Sequence, residues 1–232
     1  MKPIISYTLT IYTWTIYTLT TYTLTIALVL TGSNAWAESD ILSKIPGTPR
    51  SDTHYVFYLH GKISEGASPR PNHPRFGIYE YEAILLALKE RGYTVIAEQR
   101  KANTDVDTYA IDLATQINRL LSQAVPADRI TVIGFSKGGR IAQAVSAKLE
   151  FSIRYVLLAS CPKSGQGPQL HGKVLSIREK SDPLVGSCNA LFVGSPDIDE
   201  HKEVLIEIGG GHGAFYEPDK AWLRPLGEWI EG

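Results

Sequence analysis

Arg129-Ile130-Thr131-Val132-Ile133-Gly134-Phe135-Ser136-Lys137-Gly138-Gly139 spells out a strand, a sharp turn and the start of a helix. Four β-branched residues in a row, Ile130 to Ile133, read as a strand. The residues from Gly139 to Leu149 have the composition of a helix. Between them lies a GxSxG pentapeptide, Gly134 to Gly138. A serine on so sharp a turn takes a strained backbone, which only small residues two places before and after it permit, and Gly134 and Gly138 leave that room. Such a turn exposes the hydroxyl at the carboxyl edge of a parallel sheet. It also points the next backbone N–H and the start of the helix at the reacting centre. A bare GxSxG is a weak signal. The strand before it, the helix after it and the Asp and His downstream are what raise it above chance.

From about Asp52 to the C-terminus the chain resembles the α/β-hydrolase superfamily, whose members carry a nucleophile, an acid and a histidine in that sequence order. In that family the acid follows the strand after next. Here the β-like runs after Ser136 are Ile153 to Ala159 and Lys173 to Ile177, and the turn beyond the second holds Asp182 in Ser181-Asp182-Pro183-Leu184-Val185. An Asp before Pro is also an ordinary turn, and Asp197 and Asp199 stand in reserve. The family histidine follows the last strand, read here as Glu203 to Ile208, which runs into Gly209-Gly210-Gly211-His212-Gly213. His60 and His54 flank the first strand of the domain, His73 lies in a Pro-rich loop, and His171 and His201 sit in polar connections.

The resemblance makes Ser136 the nucleophile, His212 the base that takes its proton, and Asp182 the acid that orients the imidazole. It also implies two backbone donors for the oxyanion. One is the N–H of Lys137; the other is the N–H of Lys62, in the turn His60-Gly61-Lys62 after the strand Tyr55 to Leu59. Lys62, Arg70, Arg75, Arg100 and Lys137 all fall on connections expected at the carboxyl edge of the sheet. The side chains of Arg100, leaving Glu98-Gln99-Arg100, and of Lys137 are candidates to bind an anionic substrate, with plain solvated surface as the alternative.

The fold class expected is α/β: a mostly parallel, doubly wound sheet with flanking helices and no large cap domain. Helical stretches are read at Ile78 to Arg91, Asp105 to Gln123, and Asp219 to Ile230, the last interrupted near Pro225 with Trp222, Leu226 and Trp229 facing the core. About 195 of the 232 residues remain after the leading segment, enough for six strands and too few for a large insertion. The loop from Gly61 to Gly77, with Pro69, Pro71 and Pro74, is long enough to cover one side of the site in place of a cap.

The organisation expected is a leading segment over 1–37, a linker over 38–51 and the hydrolase domain over 52–232. Tyr7 to Ile26 repeats a five-residue unit (YTLTI, YTWTI, YTLTT, YTLTI). Lys2, the apolar run Ile26 to Leu30 and Ala35-Trp36-Ala37 before Glu38 form a secretory pattern cleaved after Ala37, with an uncleaved anchor as the alternative. An exported chain meets an oxidising compartment. Cys161 and Cys188, each just past one of two adjacent strands, are then expected to form a disulfide that braces the acid loop, against the alternative of two free thiols.

The formal net charge is -1. It calls for neither nucleic acid nor an anionic membrane surface as partner. No P-loop, GxGxxG after a strand, CxxC or HExxH occurs, so neither cofactor nor metal is indicated. The sequence therefore reads as a secreted or periplasmic serine hydrolase that cleaves a carboxylic ester or thioester of a small molecule, an anionic one among the candidates, through an acyl-enzyme. A peptidase, a dienelactone-type hydrolase and a non-catalytic binding protein on the same fold are the alternatives.

Overall fold

The computed structural model describes residues 40–232; the leading repeat and its cleavage site lie outside the described residues. Seven strands form one sheet: β1 (Ile41–Leu42), β2 (Tyr55–Leu59), β5 (Thr94–Ile96), β6 (Ile130–Phe135), β7 (Arg154–Leu158), β8 (Gly172–Glu179) and β9 (Ile198–Ile206). Their spatial order is β1-β5-β2-β6-β7-β8-β9, and every adjacent pair is parallel. A short antiparallel ribbon, β3 (Asn72–His73) with β4 (Gly77–Ile78), stands apart in the loop after β2. The helices are α1 (Tyr81–Lys89), α2 (Val106–Ser122), α3 (Lys137–Ser146), α4 (Asn189–Val193) and α5 (Lys220–Glu231).

Side chains alternate across a strand, so a sheet covered on both faces needs apolar residues at every position. The central strands meet that demand. Tyr55, Phe57 and Leu59 of β2 join Ile130 and Val132 of β6 under α2 and α3, where Leu113, Ile117, Leu120, Ile141 and Val145 are buried. Val56 and Tyr58 join Ile133, Phe135, Val156 and Leu158 on the other face, under α1 and α5 with Ile84, Leu88, Trp222 and Leu226. The result is helix, sheet, helix in three layers, doubly wound, with no large cap domain.

The register brings the strand exits to one edge: Leu59 lies beside Gly134, Phe135 beside Leu158, Leu158 beside Ile177 and Glu179 beside Ile206. Every connection leaving these ends opens on the same side of the sheet, where ligands bind in open α/β folds.

Several elements differ from the expectations. A seventh strand, Ile41–Leu42, lies within the stretch read as a linker and pairs with Val95 and Ile96 at the sheet edge; two residues are too few to show a period. Helix α5 runs through Pro225 unbroken. Pro225 removes one intrahelical N–H, but Trp222 and Leu226 on either side are fully buried and hold the helix across it. Strand β9 begins five residues earlier than read, because its solvent-facing edge is polar, with Asp199, Glu200, His201 and Lys202. Asp197 and Asp199 thereby fall at the amino end of β9, at the opposite edge from the strand exits. Helix α2 begins and ends one residue inside the expected range, with the Asp105 side chain accepting from the Thr108 N–H at 2.9 Å as its N-cap.

Candidate active site

Strand β6 ends at Phe135 and helix α3 begins at Lys137, so Ser136 alone makes the turn between them. Its φ of 52° and ψ of -114° lie in a region that non-glycine residues rarely occupy. The two glycines are there because backbone crowds them. A Cβ on Gly134 would come within 2.3 Å of the Gly138 carbonyl oxygen, and one on Gly138 within 1.9 Å of the Leu59 oxygen. The Ser136 N–H still donates to Leu158 at 2.9 Å, which anchors the turn to the sheet.

Two loops from neighbouring strand exits meet this serine. The turn after β8 carries Asp182, and the turn after β9 carries His212 in a short 3-10 segment, Gly211–Phe215. Gly209, Gly210 and Gly211 all take positive φ, between 56° and 80°, which is what the run of three glycines is for. His212 Nε2 lies 2.9 Å from Ser136 Oγ, and His212 Nδ1 lies 2.7 Å from Asp182 Oδ2. The carboxylate can only accept, so Nδ1 carries the proton and Nε2 is left bare to accept from the serine hydroxyl. Asp182 Oδ1 is held in turn by the Leu184 N–H at 2.8 Å. Both Asp182 and His212 are buried.

Glu179 was not singled out from sequence, yet it ties the acid loop to the histidine loop. It is buried, and its carboxylate accepts from the Ser181 N–H at 2.6 Å and from the Gly209 N–H at 3.2 Å. A second brace is the disulfide Cys161–Cys188, with Cα atoms 5.3 Å apart, which joins the exit of β7 to the chain just beyond Asp182.

The oxyanion candidates are the residue after the serine and one in the loop after β2. The Lys137 N–H is the first of α3, and the first N–H groups of a helix have no intrahelical partner. The Lys62 N–H belongs to the peptide whose carbonyl is that of Gly61. That oxygen is held by His60 Nδ1 at 2.7 Å and by the Ser64 N–H at 3.3 Å. A trans peptide points its N–H away from its carbonyl, so the Lys62 N–H faces away from His60. His60 Nε2 accepts from the Arg100 backbone N–H at 2.8 Å, which fixes the tautomer with the proton on Nδ1. Burial, aided by the charges of Arg100 and Lys137, pushes its pKa down to about 3, so His60 stays neutral.

Ser136 and His212 open on a cavity of about 470 Å³ whose lining also includes Lys62 and His73. Its apolar wall is Ile63, Phe76, Phe135, Leu184 and Tyr216. The loop after β2 contributes four of these nine residues, and so covers one side of the site. His73 Nδ1 accepts from the backbone N–H groups of Arg75 and Phe76, and its ring stacks on Phe76 at 4.7 Å. Another cavity of similar size sits at the opposite edge of the sheet, around Asp52, Arg91, Arg129 and Arg154.

Two expectations need correction. Arg100 does not face the cavity: it is 1% exposed, its Nε lies 3.3 Å from Glu65 Oε1, and its Nη2 donates to the His60 carbonyl. The Lys137 side chain turns the same way, its Nζ 2.7 Å from Glu65 Oε2. Both cations follow the one buried carboxylate within reach, and neither contributes to the lining. Of the other basic residues, Arg70 pairs with Glu80 on the surface and Arg75 lies 5.2 Å over the Phe76 ring. Lys62 is exposed and lines the cavity. Among the described residues, no group of three or more His, Cys, Asp or Glu side chains gathers in a way that could hold a metal ion.

Comparison with solved structures settles the architecture. A variant of Arabidopsis thaliana SOBER1 superposes with a TM-score of 0.53 at 13% identity, covering 77% of this chain and 98% of that one. The chain has the α/β-hydrolase fold. MGS-M1, an α/β-hydrolase enzyme from a Medee basin deep-sea metagenome library, superposes with a TM-score of 0.50 at 18% identity, covering 78% of this chain and 84% of the other. No protein family and no curated protein matches the chain in sequence. At these identities the α/β-hydrolase likeness extends to the fold alone, and chemistry has to be argued from the site.

Proposed function

We propose that the chain is a serine hydrolase that cleaves a carboxylic ester or thioester of a small molecule. The observation that carries this reading is the continuous relay from Asp182 through His212 to Ser136, at 2.7 and 2.9 Å, opening on a cavity that Lys62 also lines. Ser136 Oγ attacks the acyl carbon as His212 Nε2 takes its proton, and Asp182 stabilises the imidazolium. The N–H groups of Lys62 and Lys137 receive the negative oxygen of the tetrahedral intermediate. Collapse returns the proton to the leaving alcohol or thiol, and water repeats the sequence on the acyl-enzyme.

The cavity volume suits a small substrate, and its largely apolar wall suits a hydrocarbon acyl or alcohol group. Lys62 is the one side chain among the lining residues that is charged when the histidines are neutral. It takes the place of Arg100 and Lys137 as the group that would favour an anionic substrate.

Secretion or export to a periplasm, with cleavage after Ala37, belongs to the same proposal. The Cys161–Cys188 disulfide is compatible with it, and among the described residues no helix is long and apolar enough to cross a membrane. Mature protein is expected to begin at Glu38, which N-terminal sequencing of exported material checks.

The test of function is turnover of a p-nitrophenyl ester panel. Ser136→Ala and His212→Ala are each expected to lower kcat by a factor on the order of 10⁵ to 10⁶, and Asp182→Asn by less. Wild-type turnover by Ser136→Ala would end the proposal.

A further inference from the structure

Glu65 is a carboxylate nearly sealed from solvent, its side chain 2% exposed, three residues beyond Lys62 in the loop after β2. It is gripped from two sides, by Lys137 Nζ at 2.7 Å and by Arg100 Nε at 3.3 Å. Burying three charged groups costs desolvation, and an apolar cluster of the same volume would commonly serve stability as well or better. The placement of the three residues points to another use.

Each cation leads to one of the two oxyanion donors. Lys137 carries the first donor on its own backbone, directly after Ser136. Arg100 leads to the second: its backbone N–H and its guanidinium both bind His60, and His60 in turn holds the Gly61 carbonyl whose peptide presents the Lys62 N–H. The residues preceding the two donors lie close together, since a Cβ on Gly61 would lie 3.6 Å from the Ser136 Cβ. We propose that Glu65 is a positioning residue that sets the spacing of the two oxyanion donors, through Lys137 on one side and through Arg100 and His60 on the other. The inference rests on the serine-hydrolase reading and deepens it.

Two cations share one carboxylate, and the Arg100 Nη1 finds no hydrogen-bond partner among the described residues.

Glu65→Gln strips the counter-charge from two buried cations, so a failure to fold would be uninformative by itself. Lys137→Met avoids this: it keeps the backbone N–H and a chain of similar length, and it leaves the Glu65 and Arg100 pair intact. Lys137→Arg restores a cation. The readouts are kcat and KM for p-nitrophenyl butyrate, and the inhibition constant of phenylboronic acid, whose tetrahedral serine adduct places an oxygen at the oxyanion donors. Since loss of a whole donor costs about a hundredfold to a thousandfold, its misplacement in Lys137→Met is expected to lower kcat about tenfold to a hundredfold. Boronate affinity should fall in proportion while KM stays near wild type, and Lys137→Arg should recover most of both. An active wild type with kcat and boronate affinity unchanged in Lys137→Met overturns the inference and leaves the hydrolase reading standing. A loss confined to KM overturns it as well, because Lys137 would then be contacting substrate. A wild type inert to both ester and boronate overturns the hydrolase reading and the inference with it.

Discussion

Removing the Cys161–Cys188 disulfide should lower stability by an amount that follows from its loop length. The two cysteines are 27 residues apart. Closing a loop of that size removes chain entropy from the unfolded state worth about 3.5 kcal/mol at 25 °C. Both cysteines are almost fully buried, at 2% and 1% exposure, so small apolar replacements remain packed and add little strain. For the 193 residues of the described domain the unfolding entropy is about 0.4 kcal/mol/K, which converts the loss to a fall in Tm of roughly 9 °C. The Asp182, His212 and Ser136 geometry below the melting point should survive. The chain beyond Asp182 keeps its bonds from Gly186 N–H to Cys161 at 2.9 Å and from Cys188 N–H to Glu203 at 2.7 Å. The assay is calorimetry of Cys161→Ala/Cys188→Ala against wild type, with thiol counting on denatured, unreduced protein alongside. A double variant that melts within about 2 °C of wild type would refute the entropy reasoning, and two free thiols in wild type would refute the bond itself.

Acid should destabilise the protein well before its carboxylates protonate. His60 is neutral in the folded state with its pKa pushed down to about 3 from 6.5, so the unfolded chain binds the proton more tightly and stability is lost as pH falls through that window. The fall attributable to His60 is about 2 kcal/mol between pH 8 and pH 5, read from urea midpoints; equal stability at the two values would contradict it. His54, lowered to about 4 chiefly by burial, acts in the same direction. Lys62 should confer a preference for an anionic ester. A monoester of a dicarboxylic acid is expected to exceed its neutral, size-matched counterpart in kcat/KM by about two- to fivefold, the modest gain of an exposed cation, and Lys62→Gln should erase the difference. A neutral ester preferred by wild type would remove the anionic reading.

What was legible in the sequence is what local chemistry dictates. Gly134 and Gly138 announce a serine turn because their neighbours leave no room for a Cβ, and Asp105 announces α2 because its side chain caps the helix end. The stretch of glycines before His212 likewise needs only its own backbone to be read. Arg100 and Lys137 were misread because their positions could be inferred and their directions could not. Both sit near the sheet edge where ligands bind, but a carboxylate 35 and 72 residues away in sequence, Glu65, draws them into the interior. Nothing in the string around Glu65 marks it as buried. Strand β1 escaped notice for a different reason: its two residues pair with β5 only once the sheet exists, and alone they carry no pattern.

An activated Ser136 nucleophile should react covalently with an electrophilic probe. Folded protein treated with a fluorophosphonate and analysed by mass spectrometry is expected to carry one phosphonyl group, on the peptide that contains Ser136, with no adduct in Ser136→Ala and a sharply slowed reaction in His212→Ala. Folded wild-type protein that stays unlabelled, or that carries its label at another residue, would contradict the account.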